Sequence, residues 1–123
     1  MAVVPDFLIR RIYQKGSLKK LENGASLVLK NVLGPGVISG FNYVKINDVL
    51  FEPKDVKFLT NGQEYTAQDV SEESPIAFRL GQIGTLVMSG NQCVVAGDNK
   101  IVVEAMNPEA GKVQLTVNDF FND

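Results

Sequence analysis

Glycine and proline punctuate this chain at short intervals, eleven of one and five of the other among 123 residues. Between them lie 23 valines and isoleucines, whose branched Cβ favours the pleated sheet. Frequent Gly and Pro then mark turns between short strands. No window of eleven or more residues carries a clean 3.6-residue apolar stripe, so no long helix is expected. The pattern predicts an all-β chain, an antiparallel β-sandwich of jelly-roll-like form or a barrel, with seven to nine strands. At 13.4 kDa it should make one domain over residues 1–123 with a single core.

The strands can be placed coarsely. Leu8 to Leu21 reads as one extended stretch bent at Gly16, since Gly inside a strand often marks a kink. Asn23-Gly24 is a hairpin signal leading into Ala25 to Asn31. Gly34-Pro35-Gly36 breaks the chain before Val37 to Ile46, and Asn47-Asp48 turns it into Val49 to Glu52. After Pro53-Lys54-Asp55 come Val56 to Leu59, the turn Asn61-Gly62, and Gln63 to Thr66. One short helical turn is expected near residues 68–73, closed by Ser74-Pro75. The last third reads as a meander: Ile76 to Leu80, Gly84 to Met88, Gln92 to Ala96, Lys100 to Met106 and Lys112 to Asn118. Val113, Leu115 and Val117 alternate with polar residues, the pattern of a half-buried strand.

Composition excludes several chemistries. The chain has no His, no Trp and one Cys, Cys93. His is the usual proton shuttle near neutral pH and the commonest metal ligand, so a Ser-His triad, a Cys-His pair and a His-bearing zinc site are out. A lone Cys builds no disulfide framework and fits a reducing cytoplasm. Cys93, within Gln92-Cys93-Val94-Val95, reads as a small buried hydrophobe rather than a nucleophile. Met1 to Asp6 shows no leader pattern, and no apolar run approaches the ~18 residues of a membrane span. Neither a cofactor nor a membrane is expected.

Other candidates are weighed residue by residue. Gly81-Gln82-Ile83-Gly84 fails the spacing of a phosphate loop, and strand turns account for its glycines. Asn47, Asp48, Glu52 and Asp55 do not match a calcium loop; as turn residues they bond nearby amides. Glu104 lies in an apolar strand on the face of Lys100, Val102 and Met106, a solvent-facing position. Charge is uneven: the first 30 residues sum to +4 and the remainder to −6. Arg10, Arg11, Tyr13, Lys15, Lys19 and Lys20 resemble a weak nucleic-acid stripe, but a sequence pI near 5.1 opposes it. The basic segment either steers a face toward an acidic partner or forms a solvated edge strand that Lys and Arg protect from aggregation. Phe41 and Tyr43 share a strand face, with Tyr65 nearby in sequence. They are candidate ligand contacts against a reading as core.

Residues 45–70, KINDVLFEPKDVKFLTNGQEYTAQDV, carry a strand, an Asn-Asp turn, Asp-Val-Lys-Phe and then Asn-Gly-Gln-Glu-Tyr. This organisation resembles the small β subunit of bacterial C-glycoside deglycosidases, over residues 37–118. The resemblance implies a β-sandwich docked on a larger, barrel-shaped, metal-dependent partner that carries the metal and the acid–base residues. No catalytic residue of that family maps onto this chain.

The expected function is therefore a non-catalytic accessory subunit in the cytoplasm, docking on a larger sugar-acting enzyme. Arg10, Arg11, Phe41, Tyr43 and Tyr65 are the candidate partner or ligand contacts. Two alternatives stay open: a self-contained module for a carbohydrate or other small ligand, and a homo-oligomeric structural domain. An independent enzyme would have to rely on carboxylates, Lys or Tyr.

Overall fold

The computed structural model describes residues 4–122. Met1–Val3 and Asp123 lie outside the described residues, and with them part of the Met1–Asp6 stretch read for a leader and both limits of the expected domain. A helical turn α1 (Asp6–Ile9) continues as a 3-10 turn over Arg10–Ile12. Eleven strands follow: β1 (Lys19–Leu21), β2 (Gly24–Lys30), β3 (Val37–Ile38), β4 (Gly40–Ile46), β5 (Val49–Phe51), β6 (Val56–Thr60), β7 (Gln63–Thr66), β8 (Ile76–Ala77), β9 (Ile83–Ser89), β10 (Gly97–Asn107) and β11 (Gly111–Phe121). They form a five-stranded sheet, β1-β2-β9-β6-β7, a four-stranded sheet, β11-β10-β4-β5, and a small pair, β3-β8. Every pairing is antiparallel. The all-β sandwich is the architecture the sequence predicts.

Period-two alternation explains the core. In the first sheet three inward rows cross β2, β9 and β6: Ala25-Met88-Val56, Leu27-Leu86-Phe58 and Leu29-Gly84-Thr60. The second sheet answers with Ile46-Ile101-Val117, Val44-Val103-Leu115 and Phe41-Ala105-Val113 across β4, β10 and β11. Phe41 meets Phe58 between the sheets with ring centroids 5.6 Å apart, and Phe78 meets Phe58 edge-on at 5.5 Å.

Four expectations are corrected. Leu8–Leu21 is not one strand, because residues up to Ile12 are helical. The Pro5 carbonyl accepts from Leu8 N and Ile9 N, and the three-residue spacing turns Ile9 and Ile12 toward the sandwich. The bend at Gly16 is present, with φ +85°. Near 68–73 the helical turn sits earlier, as a 3-10 turn at Ala67–Asp69. Gln92–Ala96 forms no strand, since side chains bind its backbone: Asn47 Nδ2 donates to Cys93 O at 2.7 Å, and Asn99 bonds both N and O of Val95. Nor is the last third a meander. β9 lies between β2 and β6, and only β10 and β11 are consecutive neighbours.

Candidate functional site

β10 and β11 are eleven residues long, whereas β2 ends at Lys30. The tip of their hairpin, Asn107–Gly111, lies one pair beyond the end of β4 at Gly40. Beside it the inward side chains of Ala105, Val113 and Leu115 line a space between the sheets. The Leu33–Gly36 loop, β3 and the helical turn, which contributes Ile9 and Ile12, line the same space. The space left between them is a cavity of about 340 Å³, with Leu29, Phe41 and Phe78 at its inner end. This size lies at the lower end of the range for small-molecule pockets.

The amides in this wall are already committed. Asn31 Nδ2 donates to Gly34 O and Phe78 O, both at 2.6 Å, and its Oδ1 accepts from Leu33 N at 3.1 Å. Asn107 Nδ2 donates to Val37 O at 2.9 Å, while its Oδ1 accepts from Glu109 N and Ala110 N. These bonds fix the loops that shape the cavity and leave its surface apolar. Glu109, exposed at the hairpin tip, is the one charged residue among the described lining.

Two further polar centres hold elements together. Buried Asp119 accepts from Tyr13 Oη at 2.5 Å and Gly16 N at 2.9 Å, tying the segment after the helical turn to β11. Burial, then the Asp119 hydrogen bond and charge, push the Tyr13 phenol well above its ordinary range. Asn99, fully buried, accepts from Asn47 Nδ2 and Val95 N, both at 2.9 Å, and donates to Val95 O and Gly97 O. Burial also pushes the Cys93 thiol up to about 11, which makes it a poor nucleophile.

The predicted contact residues do not converge. A bulge opposite Glu104 and Ala105 inserts Asn42, pairing Tyr43 with Glu104 and Phe41 with Ala105. Phe41 and Tyr43 consequently lie on opposite faces, not one. Phe41, 6% exposed, belongs to the core and the cavity wall. Tyr43 faces outward, where its hydroxyl accepts from Gln114 Nε2 at 3.0 Å. Tyr65 stands on β7 of the other sheet and bonds Gln63 Oε1. Arg10 and Arg11 are exposed beside the buried Ile9, and Lys19 and Lys20 occupy the edge strand β1. Glu104 does lie on the outer face, yet it is only 9% exposed. Asn42 Nδ2 at 2.8 Å, Gln114 Nε2 at 3.3 Å and Lys112 Nζ at 3.9 Å gather over its carboxylate. Gly84 lies inside β9 rather than at a turn.

Asn31, Asn99 and Asp119 escaped the sequence reading, although a signal existed. Each continues the inward phase of its strand: Ala25-Leu27-Leu29-Asn31, Asn99-Ile101-Val103 and Val113-Leu115-Val117-Asp119. A polar residue in apolar phase at a strand end is a candidate buried hydrogen-bond hub.

Comparison with known proteins gives one match and one blank. The family described as hydroxymethylglutaryl-CoA reductase, N-terminal domain, matches residues 8–122. No curated protein matches the chain. The family match overturns the resemblance to the C-glycoside deglycosidase β subunit, whose shared features were strand-and-turn chemistry that unrelated sandwiches also need. The sugar-acting partner rested on that resemblance and loses its support with it.

Proposed function

Because this chain belongs to the hydroxymethylglutaryl-CoA reductase N-terminal domain family, we propose that it is a non-catalytic accessory domain serving a reductase of hydroxymethylglutaryl-CoA. It would contribute a rigid β-sandwich surface in the cytoplasm, and the partner would carry the acid–base and redox groups. The observation supporting this reading is how the buried polar side chains are engaged. Asp119, Asn99 and Asn31 bind backbone groups of their own chain, and Glu104 is covered by two amides. Such groups hold loops in place; a working acid or base needs a proton-accepting atom open to substrate. Among the described residues no helix is long and apolar enough to cross a membrane.

The test is reconstitution with the reductase of the same organism. Native mass spectrometry should find a complex of fixed ratio, and the chain should change the turnover of hydroxymethylglutaryl-CoA by the reductase. The isolated chain should turn over none. Turnover by the isolated chain, or no complex at tens of micromolar, would overturn the reading.

A further inference from the structure

The geometry points to a binding site for one neutral, apolar molecule of about a dozen heavy atoms in the cavity beside the tip of the β10–β11 hairpin. Size comes first. An apolar cavity of ~150 Å³ accommodates one benzene, and this one, at about 340 Å³, has room for roughly twice as many atoms. Chemistry comes next. A buried water needs two to four polar partners, but Asn31 and Asn107 in the wall already bond the surrounding backbone. The wall facing the space is Ile9, Ile12, Ala105, Val113 and Leu115, which offers water little and an alkyl chain good contact.

Charge selects the head group. Glu109 is the charged residue at this cavity, and its carboxylate makes no ion pair among the described residues. A carboxylate or phosphate head would meet a like charge there, whereas an alcohol would not. The ligand class is thus a long-chain alcohol or a similar uncharged lipid, not a fatty acid or a CoA thioester. The assignment rests on the cavity alone, so its failure would leave the accessory-domain reading standing.

The matched probes are 1-decanol and decanoate, titrated into the whole chain with isoleucine, leucine and valine methyls observed by NMR. Decanol should bind one to one, shifting the methyls of Ile9, Leu29 and Leu115, and decanoate should bind more weakly. Ala105→Leu pushes a side chain into the space; displacing about two methylenes of ligand should weaken decanol about tenfold. Glu109→Gln, a substitution at an exposed turn, should narrow the gap between decanoate and decanol. It provides the decisive comparison should Ala105→Leu fail to fold. Saturable binding of decanol that Ala105→Leu weakens, with a decanoate gap that Glu109→Gln narrows, supports the site, and a gap unchanged in Glu109→Gln would count against it. No saturable binding, binding unchanged in a folded Ala105→Leu protein, or decanoate binding as tightly as decanol would each overturn it.

Discussion

The ring of Phe58 occupies the volume that a side chain at Gly84 would need. Gly84 sits on β9 diagonally across from Phe58 on β6, and a Cβ built on it would overlap the ring. With no Cβ in the way, the ring lies flat enough to reach Phe41 on the opposing sheet and Phe78 beside it. The aromatic cluster at the centre of the sandwich is thus made possible by a residue with no side chain.

Gly84→Ala should therefore destabilise the fold by about 1–3 kcal/mol through overpacking, read as a lower urea midpoint. Combined with Phe58→Leu the two losses should be less than additive, because the smaller side chain vacates the contested space. Full additivity would show that the ring and the glycine are not coupled.

Tyr13→Phe removes the phenol that donates to Asp119. A buried hydrogen bond to a carboxylate is worth about 1.5–3 kcal/mol, and thermal unfolding should show a loss of that order. The pH dependence has a defined sign. Folding raises the Tyr13 value above the 10 of the free phenol, so the folded chain keeps a proton that the unfolded chain releases. Stability from this group is complete below pH 10 and falls as pH rises above it. Cys93 behaves alike at lower pH, its contribution falling between 9 and about 11. The alkaline decline above pH 10 should be shallower in Tyr13→Phe than in the parent; an unchanged decline would place its cause elsewhere.

Asn99→Asp preserves shape but replaces an amide that donates to Val95 O and Gly97 O with oxygens facing those same carbonyls. The expected loss at neutral pH is about 3–5 kcal/mol, the cost of an uncompensated buried charge. Acidification should recover part of it, since a protonated carboxyl regains one donor. A variant equally stable at both pH values would contradict this account of the hub.

Cys93 should react slowly with a thiol reagent at about pH 8, because both exposure and thiolate fraction control the rate and the thiol is buried with its value raised. Denaturant should speed the reaction by orders of magnitude. Rapid labelling of the native chain would mean that the Gln92–Ala96 segment opens easily.

Much of the sheet was legible. Alternation at Val113–Asn118 became β11, and Asn61-Gly62 became a two-residue turn with φ of 52° and 72° between β6 and β7. Asn47-Asp48 likewise joins β4 to β5. Short-range rules reach this far because they act within a few residues. The helical turn at Asp6–Ile12 escaped because seven residues are too few to establish a period. Asn23-Gly24 misled in detail: the loop is Glu22-Asn23, and Gly24 opens β2 because a Cβ there would collide with the Met88 carbonyl on β9. Alternation alone puts Phe41 and Tyr43 on one face, because a bulge is invisible to it. Sheet order and the cavity depend on which strands and loops meet, and that is decided by pairings across the whole chain.

The bond from Tyr13 to Asp119 spans 106 positions, and it bears on how the molecule is made. Tyr13 leaves the ribosome long before Asp119 exists, so while the sheets assemble the segment carrying Ile9 and Ile12 is tied only to β2, through the Tyr13–Leu29 bridge and the bond from Gln14 N to Val28 O. The wall of the cavity closes only when the final strand adds Val113 and Leu115. A nascent chain would hold this apolar space open, and a ligand could be enclosed during folding without having to enter afterwards.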